Sequence, residues 1–333
     1  MDIIITLDYE LFLNDITGTV NNCLIKPMQE IQKVCDKHNV KLTIFVDAAY
    51  LYRLTELKDS YNSLSEDYDT VVQNIKWLIS LGHDVQLHIH PQWYYSEYDG
   101  KEWIIDWNHY KLSDMPSDVA FEKFGKSKEL LDSIIGYKTT LFRAGGYSIQ
   151  DFDYQQCFKK FGIIGDSSVL PGCKVISKTH SYDYVDSPLY PYPFNDINSP
   201  STEGSFMELP ISKAYPVNIV KYLLIKKWWG LKSEYKWGDG GDRPHPTILK
   251  KIKGILSAFS LYKYPAASID FQSFFWLRDA RKYMDKYDCM TVIGHPKNVS
   301  SSSLSYLNDF INERKSEGDS FKSMSEYLKN KFL

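Results

Sequence analysis

Cysteine is scarce in this chain: five residues in 333, at positions 23, 35, 157, 173 and 289, and none in a Cys-x-x-Cys pair. That usage excludes a zinc ribbon or a disulfide-stapled scaffold and fits a reducing compartment. Positive charge is not in excess either. Lys+Arg total 39 against Asp+Glu 42, a formal net charge of −3, so bulk attraction to nucleic acid is excluded as the basis of function. No uncharged apolar run reaches the roughly 18 residues of a membrane-spanning helix. The opening Met-Asp-Ile-Ile-Ile-Thr-Leu-Asp lacks a basic n-region, a long apolar h-region and a small-residue cleavage site, from which a cytoplasmic location is expected. Internal repeats and low-complexity tracts are also missing, which removes solenoids and linker-rich chains from consideration.

What is present is enough to build a core. Hydrophobic residues make up 43% of the chain and charged residues 24%. Aromatics reach 15%, with 25 Tyr, 17 Phe and 8 Trp. Their first use is core packing, and their second is stacking on apolar ring faces such as those of sugars. The run 3–7 (IIITL) is β-branched and continuous, the pattern of a strand buried on both faces. Further strands are predicted at 41–46, 84–90, 139–143 and 290–294. Between them lie helical patterns: one opened by Pro27 with Met28, Ile31 and Cys35 on one face, one over 69–81, and one from about 118 to 135. Ser148 is the expected cap of the next helix, whose apolar face includes Phe152 and Phe161. Strands alternating with helices imply right-handed crossovers and a parallel sheet, open or closed into a barrel.

In such folds the chemistry collects at the carboxyl ends of the strands. Those ends carry Asp8-Tyr9-Glu10, His88-Ile89-His90, Arg143, Asp166 and His295. Asp270 closes the apolar run 266–269, with no role assigned. Two imidazoles at i and i+2 on a strand share a face and can reach one cation. A carboxylate from a neighbouring strand end completes a three-ligand set with positions left open, the arrangement of a catalytic metal rather than a structural one.

The ordered pieces Leu7-Asp8-Tyr9-Glu10, Thr43-Ile44-Phe45-Val46-Asp47, Gly82-His83-Asp84-Val85 running into His88, Phe142-Arg143-Ala144-Gly145-Gly146-Tyr147-Ser148 and Gly294-His295-Pro296 resemble the polysaccharide deacetylase superfamily. That is the NodB-homology, carbohydrate esterase 4-like group, in a branch seen with surface-polysaccharide biosynthesis. They span about residues 3–297. The resemblance implies an α/β fold, a deformed (β/α) barrel, with residues 1–333 as a single domain and an irregular or helical insertion at about 171–262. It implies Asp8 as general base, Glu10 and His88 as ligands of a divalent metal ion, zinc first among the candidates, and Arg143 as the group that keeps Asp8 ionised. It also implies Tyr147 as donor of an oxyanion-stabilising backbone N–H, Asp166 as a charged partner at the substrate, and His295 as the acid that protonates the leaving group. Where the family places its second metal histidine, four residues after the first, Gln92 stands. His90 is taken as the substitute ligand. Gly145 replaces a frequent proline and is expected to loosen the loop before Tyr147, while His83 is read as structural.

Two segments stand apart. Residues 91–116 hold Trp93, Tyr94, Tyr95, Tyr98, Trp103 and Trp107, and Trp93 with Tyr94 reads either as a sugar-stacking wall or as local core. Residues 213–236 contain six lysines (213, 221, 226, 227, 232 and 236) and a single acid, Glu234. They read as a solvated helix face or as contact with an anionic carrier, a nucleotide diphosphate or a membrane surface bearing a lipid-linked glycan. The expected activity is removal of an acetyl or formyl group from an amino sugar or acylated saccharide precursor. A non-sugar amide as substrate, and a non-catalytic glycan-binding protein, remain the alternatives. Oligomeric state is not read from the sequence.

Overall fold

A computed structural model describes residues 1–218, 223–224, 236–242, 262–263, 265–271 and 273–332. Its frame is a nine-stranded sheet. The strands are β1 (Asp2–Tyr9), β2 (Thr43–Asp47), β3 (Asp84–Ile89), β4 (Leu141–Ala144), β5 (Gly165–Asp166), β6 (Tyr192–Phe194), β7 (Phe206–Glu208), β8 (Cys289–Gly294) and β9 (Ser320–Phe321). Their order is β6-β7-β5-β4-β3-β2-β1-β8, with β9 added beside β1. Every pairing is parallel except β6 with β7. The chain after β7 then crosses toward the other flank. Leu209 N–H donates to Asp166 O and Ile211 N–H to Val169 O, while Ser212 N–H reaches Thr291 O of β8. These bonds curl the sheet into the deformed half-barrel that the α/β reading implied.

Alternation along the strands divides the sheet into two faces. The outer face of β1 carries Ile3, Ile5, Leu7 and Tyr9, packed with α1 (Lys26–His38), α2 (Ala48–Leu57), α3 (Asn62–Ser80), α4 (Ser117–Ile135), α6 (Leu277–Tyr283) and α7 (Ser301–Ser316) in the main core. Between α4 and α6 in chain order lies α5 (Tyr154–Phe161), whose Phe158 packs edge-on against Phe142. The inner face starts apolar, with Ile4, Phe45, Leu141, Leu209 and Cys289 plugged by Met324, Tyr327 and Leu328 of α8 (Met324–Lys331). Moving toward the carboxyl edge it becomes polar: after Ile4 come Thr6, Asp8 and Glu10. An apolar floor therefore lies under a polar mouth.

Local departures from expectation have local causes. Helix α3 begins seven residues before the predicted start, because buried Leu64 extends the apolar stripe of Val71, Ile75 and Leu78. Asp153, not Ser148, caps α5, accepting from Gln156 N–H at 3.3 Å. Ser148 instead donates to Gly146 O and accepts from Ser181 N–H. Residues 91–116 are not a plain loop: they form a 3-10 turn (Pro91–Tyr95), a hairpin pairing Glu97–Tyr98 with Trp103–Ile104, and a second short turn at Leu112–Asp114. The segment expected as an insertion supplies β6 and β7 to the main sheet and a separate hairpin, Lys174–Ile176 with Ser181–Asp183.

Of the lysine-rich stretch, Lys213 is buried and donates to Pro171 O at 2.8 Å, and Lys236 lies 4.1 Å from the centre of the Phe12 ring. These two are built into the fold rather than arrayed on a solvated face. Lys221, Lys226, Lys227 and Lys232 lie outside the described residues. Among the described residues no helix is long and apolar enough to cross a membrane.

Candidate active site

At the carboxyl edge the inner face gathers buried Asp8, Glu10, His88, His90 and Arg143 and half-buried His295 into one cluster. Register places His88 beside Arg143, and both therefore point inward. His90 lies one residue beyond β3 in extended conformation (φ −105°, ψ 102°), so the alternation continues and its ring meets that of His88 edge-on at 4.8 Å. Glu10 Oε2 lies 3.0 Å from His88 Nε2 and 2.6 Å from His90 Nε2. Among the described residues this is the one group of three such side chains able to offer ligand atoms to a single ion.

The donor set fits a divalent cation. His88 Nδ1 is 2.7 Å from Arg143 O, which can only accept, so Nδ1 carries the ring proton. In the neutral ring Nε2 then presents a lone pair to a carboxylate oxygen. Two lone pairs at 3.0 Å require a positive charge between them, from a proton or a metal ion. His88 is anchored through its far nitrogen, and His90 converges with it on the same carboxylate oxygen, an arrangement suited to metal ligation.

Asp8 is held separately. Arg143 is fully buried; its Nη1 donates to Asp8 Oδ1 at 2.6 Å, its Nε to Ser167 O and its Nη2 to Ser167 Oγ, both at 2.8 Å. The guanidinium also lies over the Phe45 ring at 4.3 Å. Burial opposes the charge on Asp8, but Arg143, with help from His88 and His295, outweighs it and lowers the carboxyl pKa. Glu10 is lowered further: against its burial stand Lys297, His90 and His88. Across the cluster, His295 Nε2 faces Asp8 Oδ2 at 3.6 Å and Glu10 Oε1 at 3.7 Å.

Three residues without a role in the sequence reading belong here. Asp270 receives His295 N–H at 2.8 Å through one oxygen and pairs with His295 Nδ1 at 2.8 Å through the other. Burial works against an imidazolium, but Asp270, Asp8 and Glu10 outweigh it and push the His295 pKa up to about 9. The position of Asp270 at the end of an apolar run was a usable signal, whereas its partner 25 residues away was not. Lys297, two residues past His295, is buried and donates to Glu10 Oε1 at 2.8 Å. Tyr110 OH pairs with His180 Nε2 at 2.7 Å, and its ring packs on Gly146.

Other expected roles are corrected. Asp166 does not face the cluster. Register sets it opposite Phe142, on the helix side of the sheet, where it is fully buried and accepts from Ser168 N–H and Oγ. Trp93 is fully buried between Tyr50 and Trp103, ring centres at 4.7 and 5.1 Å, because the 3-10 turn folds it back into the core; it cannot stack on a sugar. Tyr94 is likewise buried, its hydroxyl paired with Ser127. The exposed aromatics of this segment are Tyr95, which stacks on His109, and Trp107, 44% accessible and near-parallel to Tyr110. Gly145 does not loosen its loop. A Cβ there would sit 2.6 Å from His90 Nδ1 and from Ile89 O, so the missing side chain is what makes room for the His90 ring. Tyr147 follows with φ +61°, an unusual left-handed conformation for this residue type, its carbonyl fixed by Tyr184 OH at 2.6 Å. His83 is buried between Gln32 and Leu42 N–H and is structural.

The fold and cluster together define an α/β half-barrel with a Glu/His/His group at the carboxyl edge of a parallel sheet. No family model matches the sequence, and no curated protein does so. Solved structures do. A Mycobacterium smegmatis protein described as a polysaccharide deacetylase superposes with a TM-score of 0.53 at 14% identity, covering 99% of this chain and 89% of that one. A Pseudomonas aeruginosa protein of the same description gives 0.52 at 11%, covering 99% and 91%. Puue allantoinase gives 0.52 at 12%, covering 98% and 88%. At such identities the likeness establishes the fold, a NodB-type deacetylase half-barrel, and not the reaction.

Two outcomes follow from these charges. His295 should titrate near pH 9 by NMR, and D270N should bring it back toward the ordinary histidine value of about 6.5; an unchanged titration in D270N would remove Asp270 as the cause. On the helix side, burial raises Asp166 to about 6 and, together with Asp166, raises Glu208 well above its usual range. The native pair thus keeps protons that the unfolded chain releases, and its contribution to stability falls as pH climbs from about 4 through 6 and beyond. E208Q, which keeps an oxygen for Val169 N–H, should melt higher than wild type at about pH 8 and lose that advantage near pH 4.

Proposed function

We propose that the protein is a metal-dependent hydrolase that removes an acetyl or formyl group from an amino sugar or acylated saccharide precursor of surface-polysaccharide biosynthesis. The observation that carries the reading is the placement of a Glu10/His88/His90 group beside an ionised Asp8, paired to Arg143, and a protonated His295, paired to Asp270. Glu10, His88 and His90 would hold the ion, zinc in the first instance, which when bound supplies Lewis acidity toward the acyl carbonyl and acidifies water.

The remaining work falls to the chain. Asp8, kept ionised by Arg143, accepts the proton of the attacking water. Arg143 has no freedom to leave Asp8, since Ser167 and Phe45 hold its other faces, so the base stays aimed. His295 stays protonated through neutral pH and gives its proton to the leaving nitrogen or oxygen, with Asp270 fixing the ring so that Nε2 faces the cluster. The backbone N–H of Tyr147 supports the developing oxyanion in this proposal, on a loop fixed by Tyr184 and by the Gly145–His90 contact. Trp107, beside Tyr110, replaces Trp93 as the face on which a sugar ring stacks. We further propose that residues 1–333 work as one deacetylase-like unit, the part of 171–262 outside the sheet being its insertion. A saccharide carried on a nucleotide or lipid is the substrate form proposed for that insertion to meet.

A non-sugar amide is the second reading. It is favoured by the fold similarity to an allantoinase, and the same base, acid and ligands would serve it.

D8N should retain its divalent metal while acetate release from N-acetylhexosamine substrates falls by about 10² to 10⁴-fold; undiminished release would refute the assignment of the base. W107A should raise KM for saccharides and leave kcat largely unaltered, and an unchanged KM would remove Trp107 from the substrate site. Activity of wild type on cyclic amides but on no acetylated sugar would favour the second reading.

A further inference from the structure

Glu10 is shared between two opposed demands. Its Oε2 faces both imidazoles, and its Oε1 is taken by the ammonium of Lys297 at 2.8 Å. Lys297 is not a surface lysine that happens to touch the cluster. Its side chain is 7% accessible, its Nζ also donates to Leu11 O at 2.6 Å, and it lies over the Phe12 ring at 4.8 Å. The other ammonium near that ring, Lys236, is 4.1 Å from its centre. A Lys with two hydrogen bonds and an aromatic face beneath it has no route away from Glu10.

The consequence for a cation at Glu10, His88 and His90 is electrostatic. Two neutral imidazoles and one carboxylate sum to a single negative charge, and Lys297 cancels it. A divalent ion would keep its full double charge against these residues, with a fixed positive charge beside the carboxylate. Glu10 would offer one oxygen, because the other is already a hydrogen-bond acceptor. Both effects weaken retention of the ion and leave it more polarising toward anything else it binds.

We propose that Lys297 is a positioning residue that restricts Glu10 to a single ligand oxygen and cancels its charge, making this a weak, exchangeable divalent-cation site rather than a tightly held one. The proposal rests on the metal-dependent reading above. It concerns binding strength, so it can be tested without a substrate.

Wild type, K297Q and K297R are stripped with a chelator and titrated with Zn2+ and with Mn2+ by calorimetry. Gln at 297 keeps a donor for Glu10 Oε1 without the charge, whereas Arg keeps the charge. K297Q is expected to bind each ion at least about tenfold more tightly than wild type, with K297R close to wild type. Uptake by K297Q alone would also support the proposal, because wild type would then be the weaker binder. K297Q binding equally or more weakly, with wild type taking up the ions, overturns the role of Lys297 and leaves the metal reading intact. No uptake by either protein overturns both. K297M repeats the measurement should K297Q fail to fold, with the same two directions decisive.

Discussion

The guanidinium of Arg143 has no access to water, and Asp8 is the carboxylate bonded to it. Leaving such a charge unpaired would cost several kcal/mol, about 3 to 5 where one partner of a buried pair is removed. The pairing is therefore obligatory, and much of the site follows from it. The same residue's carbonyl oxygen fixes the Nδ1 proton of His88, so one position sets the ionisation of the proposed base and the tautomer of a proposed ligand. Ser167, one residue beyond β5, anchors the guanidinium from the next strand. Asp8 on β1 and Ser167 after β5 are thus tied through the side chain of one residue on β4, and His88 on β3 through its carbonyl.

Around that pair the site is a sequence of compensated charges. Glu10 is matched by Lys297 and the two imidazoles, and His295 by Asp270. All lie on the polar rim of a half-barrel whose inner floor is apolar. Low dielectric strengthens each match and makes each unmatched group costly. Shape is as restrictive as charge. The His90 ring occupies the volume that a side chain at 145 would need, and Tyr110 occupies that above Gly146. The glycine pair is thus a packing requirement of this particular ligand arrangement.

Much of this was legible in the linear chain. Strand β1 announced itself because both its faces are buried and its run 3–7 is β-branched and almost continuously apolar, whereas β3 alternates polar and apolar residues. The strand-end rule with period-2 alternation put Asp8, Glu10, His88, His90, Arg143 and His295 at one edge, and they meet there. The same rule misread Asp166: a two-residue strand gives no pattern from which to tell inward from outward, and register turned it to the helix side. Trp93 was ambiguous because the backbone direction after His90 depends on a 3-10 turn, which carries no strong signature. Trp107 stood in the aromatic segment with nothing to single it out, and Tyr110 and His180 gave no signal, since they meet across 70 positions of the chain.

Local sequence chemistry sets the alternation of strands and helices, the apolar floor and the residues available at the carboxyl edge. These are set by local periodicity and by the burial that each segment's composition demands. Which charges neutralise one another was decided only by tertiary structure. Lys297 reaches Glu10 across 287 positions and Asp270 reaches His295 across 25, and no local pattern encodes such a match. Burial around both makes a partner necessary, and the curl of the sheet chooses which one it is.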